Sequence, residues 1–304
     1  MFQPDDLDRR LLKEMFTPAS LQWNIRRSYA TIAEKLGVDE ETIRRRFQRM
    51  HVAGVFQNWQ IIVNPHLIGF EAATFDLNFS SLDSRKRAIS QLKLVQGIIY
   101  ILLFYDNRIR IMTYYRNEDA LKRQIELMET FCNCNHSMFW KDVFPPCAMK
   151  MSKTDWLVVA ALLKKDPRKK LSIIASDSGI SSKTLNRRMQ RMNEGHAFFL
   201  DAAIDVRKLG GSPCAILVEY YNSAKKRLAD DLILKTIGNI TMSNTSPDMH
   251  SMFSIHCENM ADAKRVSEWI ESLDGVKEAR MGIYEEKIAV SDWLSEEIEM
   301  RARK

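Results

Sequence analysis

Residues 32–50, IAEKLGVDEETIRRRFQRM, return as IASDSGISSKTLNRRMQRM at residues 174–192, a shift of 142 positions (187 − 45 for the matched Arg45 and Arg187). Ala33/Ala175, Gly37/Gly179, Thr42/Thr184, Arg46/Arg188, Gln48/Gln190, Arg49/Arg191 and Met50/Met192 coincide without a gap, and the register runs on to Phe56/Phe198, Leu67/Leu209 and Gly69/Gly211. A period this long is too large for a solenoid unit, so each copy must hold one or two whole domains. The repeat therefore sets the architecture: whatever one half folds into, the other should fold into as well.

Within each copy the pattern begins helical. Leu7, Leu11, Leu12 and Met15 share a helical face. A second helix over residues 29–36 would bury Ile32, Ala33 and Leu36 and end at Gly37, a residue suited to a left-handed cap. A third opens at Asp39, whose carboxylate can cap free backbone N–H groups, and buries Ile43, Phe47 and Met50. Helix, tight turn, helix predicts a helix-turn-helix. Strand-like alternation over residues 55–63, ending at Pro65, predicts a hairpin or wing after it. Copy two repeats the order at residues 156–163, 173–177, 181–192 and 198–206.

The rest of each copy reads differently. Strands over 70–79, 98–104, 109–115 and 137–143, with helices over 84–94 and 118–131, give βαββαβ, the ferredoxin-like order; copy two matches it over residues 214–284. The expected class is α+β, with two winged helix-turn-helix domains (1–65 and 147–208) alternating with two ferredoxin-like domains (66–146 and 209–287). Pro145-Pro146 separates the copies, and a C-terminal helix lies within 288–304.

Chemistry is sparse outside the third helices. A net charge of +6 favours an acidic partner only weakly, but its placement is specific: Arg44, Arg45, Arg46 and Arg49 cluster on one helix, and Arg187, Arg188 and Arg191 on its counterpart. With Ile43, Phe47 and Met50 inward, Glu41, Arg44, Arg45 and Gln48 face outward, where guanidinium groups can read guanine edges or hold phosphates. Copy two opens this helix with Ser181, Ser182 and Lys183 where copy one has Asp39, Glu40 and Glu41. A helix N-terminus attracts phosphate, and three carboxylates there repel it, so the second head is expected to grip DNA more strongly.

No Gly-rich phosphate loop, nucleophile elbow or His-Glu-x-x-His helix occurs, so neither catalysis nor a cofactor is expected. Cys132, Cys134 and His136 alternate but lack the spacing and ligand number of structural zinc, and no metal is expected. Tyr114-Tyr115 and Tyr220-Tyr221 resemble stacking platforms for single strands, but the surrounding motif is missing and core or interface aromatics are the better reading. The polar, acidic start, the absence of a long apolar run and the odd cysteine count predict a cytoplasmic protein with reduced thiols and no membrane contact.

LDRRLL at residues 7–12, the 32–50 run with Gly54 and Val55 after it, and the 174–192 run together resemble the leucine-responsive and asparagine-regulator (Lrp/AsnC) family of prokaryotic transcription regulators, here in tandem. The resemblance implies a sequence-specific regulator of double-stranded DNA with two reading heads per chain. It implies action as a homodimer or as a pseudo-dimer within one chain. It carries Thr42/Thr184, Arg45/Arg187 and Arg46/Arg188 over as recognition-helix positions, the last pair either bracing the fold or touching DNA. With the helix faces read above, the candidate contacts are Thr42, Arg44, Arg45, Arg46, Gln48 and Arg49 in head one, and Ser181, Ser182, Lys183, Thr184, Asn186, Arg187, Arg188 and Arg191 in head two. The family's amino-acid effector site uses a Gly-x-x-Asp turn between the central strands. Tyr105-Asp106-Asn107-Arg108 keeps only the aspartate and residues 244–248 hold no glycine, so the chain departs from that pattern and a small-molecule effector stays open as a partner. Two rivals share the architecture: a haem-pathway decarboxylase whose heads no longer read DNA, and a small-molecule sensor or scaffold.

Overall fold

A computed structural model describes residues 2–16, 28–176, 179–238, 240–245, 249–290 and 292–303. Head one consists of α1 (Asp6–Phe16), α2 (Tyr29–Leu36), α3 (Glu40–Val52) and β1 (Phe56–Val63). Gly37 takes the left-handed conformation (φ 71°) that closes α2, and Asp39 caps α3. Ile43, Phe47 and Met50 are buried, each contributing about 1.5–3 kcal/mol through removal of apolar surface from water.

A one-turn helix, α4 (Pro65–Ile68), leads into β2 (Glu71–Asn78), α5 (Leu82–Leu92), β3 (Ile98–Phe104), β4 (Arg108–Tyr115), α6 (Glu118–Cys132) and β5 (Asn135–Asp142). Copy two follows with α7 (Lys153–Lys164), α8 (Leu171–Ser176), α9 (Ser182–Glu194) and β6 (Phe198–Ile204). It continues through β7 (Ser212–Tyr220), α10 (Ser223–Thr236), β8 (Ile240–Thr245), β9 (His250–Cys257), α11 (Met260–Glu271), β10 (Val276–Ala289) and α12 (Asp292–Arg303). Asp177, read as the end of the second helix of copy two, lies outside the described residues.

The strands form one eight-stranded order, β5-β2-β4-β3-β10-β7-β9-β8, in which each half has the ferredoxin-like arrangement. The halves join because β10 runs past the expected end at Tyr284: residues 276–283 pair with β7 and residues 284–289 with β3. Asp76 and Arg110, both buried, form a two-pronged ion pair (2.7 and 3.0 Å) at this junction. The guanidinium lies 5.2 and 5.0 Å from the Phe104 and Trp140 rings and donates to the Met252 sulfur of the other half. Tyr114, Tyr115 and Tyr220 are buried and Tyr221 is exposed.

The expected wing hairpins do not form. β1 pairs instead with β6, antiparallel, across the two copies. Trp59 faces Ala202 and Gln60 faces Asp201. Since Asp201 and Ala202 are the copy-two counterparts of Trp59 and Gln60, the register is that of a twofold axis between them. A lone strand leaves a full row of backbone groups unpaired, and the other copy supplies the partner. One core runs through both heads, from Leu11 and Phe47 through Trp59 and Leu200 to Met189 and Leu162. Among the described residues no helix is long and apolar enough to cross a membrane.

Candidate nucleic-acid interface

The third helices present matching outward ridges: Glu41, Arg44, Arg45 and Gln48 on α3, and Lys183, Asn186, Arg187 and Gln190 on α9, all exposed. Their electrostatics differ. In head one Glu40 pairs with Arg44, and Glu41 lies 3.7 Å from Arg45, whose side chain is 73% exposed. The Arg44 guanidinium also lies 5.2 Å from the centre of the Tyr29 ring. In head two, among the described residues, neither Lys183 nor Arg187 makes an ion pair, and Gln190 bonds Glu194 at 3.0 Å.

The caps differ too. The Thr42 backbone N–H (2.7 Å) and hydroxyl (2.8 Å) donate to Asp39 and hold its carboxyl below the usual range, which keeps a full negative charge at the start of α3. Ser181 makes the same cap without charge, accepting from the Thr184 N–H at 3.2 Å. Ser182 opens α9 half-buried beside it.

Four of the candidate contacts are tied into the fold, among them Arg46 and Arg188, for which bracing was one of the two readings. Arg46 and Arg49 both bond Asp8 of α1, which is 0% exposed, and Arg46 also pairs with Asp5. Arg188 (3.0 Å) and Arg191 (2.5 Å) bond Asp155 of α7 in the same way, again at 0% exposure. Each aspartate also closes a reciprocal cap at the start of its helix, Asp8 with Asp5 and Asp155 with Ser152. The arginines at these positions thus lock the first helix to the third in both heads. The spacing of that cap, a polar residue followed three places later by an acid, was the sequence signal for it.

Burial alone would raise the Asp155 carboxyl, but hydrogen bonds from Ser152 and the charges of Arg191 and Arg188 outweigh it and lower the pKa. An acid depressed in the folded state stabilises above its ordinary pKa and loses that contribution as pH falls through the lowered value. Asp155→Asn is expected to destabilise the protein by about 1–2 kcal/mol at neutral pH, the two arginines being partly exposed. It should also flatten the stability loss below about pH 4. Urea denaturation at pH 7 and pH 3 reads both effects.

A second polar cluster lies between the β1–β6 ribbon and β10. Asp201, buried, accepts from Gln60 (2.9 Å), Tyr100 (3.0 Å) and Lys287 (3.0 Å), and these three partners line a cavity of about 290 Å³ bordered by Arg207 and Glu286. Burial, followed by the Asp201 charge, pushes the Tyr100 phenol well up. Sequence reading missed this group because its members come from four strands and share no spacing. Cys132 and Cys134 are buried while His136 bonds Glu129 at 2.8 Å. Among the described residues no three His, Cys, Asp or Glu side chains gather as a metal site.

The fold and these heads define a helix-turn-helix protein joined to ferredoxin-like domains. More narrowly, residues 5–51 match the AsnC-type helix-turn-helix domain, and the chain carries that domain at its N-terminus. Over 67 residues it is 39% identical to an uncharacterized HTH-type transcriptional regulator of Pyrococcus furiosus, covering 22% of this chain and 41% of that one. Over 71 residues it is 34% identical to the regulatory protein AsnC of Escherichia coli, covering 23% and 43%. The matches thus span about two fifths of the length of these relatives.

The solved siroheme decarboxylase NirDL resembles the chain over 98% of its length and 99% of that chain, with a TM-score of 0.59 and 10% identity, a likeness of fold. This corrects one expectation. The lack of a catalytic motif leads to the expectation of a protein that is not an enzyme, with a decarboxylase only as a rival, yet the architecture over nearly the whole chain is one that an enzyme uses.

Proposed function

We propose that the chain is a regulator that binds double-stranded DNA in a sequence-specific manner through two unequal heads. In this reading α9 is the principal contact, through Lys183, Asn186, Arg187 and the Ser181 cap, with Ser182 and Thr184 near the phosphates. α3 is the auxiliary one, through Arg44, Arg45, Gln48 and Thr42. The supporting observation is the exposed α9 ridge, whose cations have no carboxylate partner among the described residues while the fold-bracing arginines beside them do. The β1–β6 pairing holds two heads in one chain and would let a single chain do the work of a regulator dimer.

Selection of bound fragments from random duplex DNA at about 50 and 200 mM salt tests the reading. A non-palindromic motif should be enriched, and affinity should fall by about three powers of ten across that range for roughly six phosphate contacts. No enrichment and no retained duplex at the lower salt would reject it.

One observation favours a second reading, the whole-chain likeness to the siroheme decarboxylase, for which Asp201, Tyr100 and Lys287 would be the reactive groups. Titration with an iron tetrapyrrole followed by absorbance separates the two: a saturable spectral change lost in Lys287→Met would support the enzyme.

A further inference from the structure

The repeat allows each surface of one half to be compared with its counterpart in the other, and one pair of surfaces differs sharply. In copy two the end of the ferredoxin-like unit nearest the heads is covered by α1. Lys13 donates to the carbonyls of Leu234 (3.0 Å) and Ile237 (3.3 Å), and Arg9 lies 3.6 Å from Glu258. Ile237 stands three residues before β8, and Glu258 directly before Asn259, the cap of α11.

In copy one the same places are held by Val95, three residues before β3, and by Arg116, directly before Asn117, the cap of α6. The acid that anchors the covering helix in one half is therefore a base in the other. α7, the counterpart of α1, packs instead against α12, whose Trp293 bonds the Ile98 carbonyl at 2.7 Å. What remains beside it is an open cavity of about 510 Å³.

Its lining is amphipathic. Leu94, Leu127 and Phe131 are 84%, 56% and 46% exposed around it, a concentration of large apolar side chains that water does not favour. Arg116 and Arg123 line it as well, both exposed, and among the described residues neither makes an ion pair. Arg116 lies over the Phe70 ring at 5.0 Å, which leaves its guanidinium edge free to donate. The volume falls within the range of small-molecule sites, roughly 300–1,000 Å³.

We propose that this cavity binds a small amphipathic carboxylate, with its acid group on Arg116 and Arg123 and its hydrocarbon or aryl body against Leu94, Leu127 and Phe131. A planar guanidinium matches a carboxylate with two parallel hydrogen bonds, and the inverted charge relative to Glu258 selects an anion where copy two selects a cation.

Calorimetric titration of the full chain with sodium decanoate and with 1-decanol tests this. One decanoate per chain should bind, at least tenfold more tightly than the alcohol. Arg116→Glu, which installs the residue of the other half, should abolish that preference, and Arg123→Gln should weaken decanoate severalfold should the first variant fail to fold. The proposal is overturned by absence of saturable decanoate binding, or by a preference for the acid that survives both substitutions. It is equally overturned by sedimentation showing a second copy of the chain on this face that decanoate does not displace.

Discussion

Replacing Lys183 and Arg187 together with alanine is expected to weaken duplex DNA binding by about 30- to 1,000-fold, whereas the matched replacement of Arg44 and Arg45 costs about tenfold or less. A cation facing the duplex is worth about 1–2 kcal/mol, the lower part of the range for a phosphate or base-edge contact, so two together remove about 2–4 kcal/mol. Lys183 and Arg187 bring their charge to the interface undiminished. Arg44 and Arg45 already share theirs with Glu40 and Glu41, and DNA must displace those carboxylates before it gains the contact. Arg188 is left intact in this pair because its loss would release Asp155 and confuse a binding defect with a folding one. Fluorescence anisotropy at several salt concentrations distinguishes the outcomes: loss of two phosphate contacts lowers the slope of log K against log salt by about two. A defect equal in both pairs, or larger in head one, would reject the asymmetry.

The parts of the fold that sequence revealed are those whose physics is local. Gly37 as a left-handed cap, Asp39 as an N-cap and the Ile43, Phe47, Met50 face are each decided within about one or two helical turns, and each is present. Strand alternation likewise marked β1, but alternation records which side chains face inward and carries no information about the neighbouring strand. Its partner β6 lies in the other copy, so the expected hairpin gave way to a pairing set by the approximate twofold. The extra length of β10 was illegible for the same reason, since residues 284–289 earn their pairing from β3 of copy one.

The candidate interface shows the same division. Which residues face outward on α3 and α9 followed from helical period. Which arginines remain available did not, because that depends on Asp8, 41 residues from Arg49, and on Asp155, 36 residues from Arg191. An arginine cluster on an exposed helix face is thus two populations, one locking α1 or α7 from the flank and one facing solvent. The buried aspartate at the third position of the first helix separates them.

The largest gain should come from giving α3 the opening of α9. Asp39→Ser, Glu40→Ser and Glu41→Lys together change the charge at this helix end by four units toward positive, counting one for each removed carboxylate and one more for the lysine. Ser181 shows that a serine cap supports the same turn, accepting from the Thr184 N–H as Asp39 accepts from Thr42, so the helix should keep its start at a cost of a few tenths of a kcal/mol. Removing Glu40 and Glu41 frees Arg44 and Arg45, and the exposed helix end gains backbone N–H groups that can meet phosphate without repulsion. Affinity for duplex DNA is expected to rise about 30- to 100-fold at 50 mM salt and to fall more steeply with salt than in the parent, since the added contacts are ionic. The same triple substitution in the Lys183→Ala, Arg187→Ala background should restore much of the lost binding if either head can carry it. Unchanged affinity in both backgrounds, with the melting temperature preserved, would show that α3 does not approach the duplex and would leave α9 as the sole reading helix.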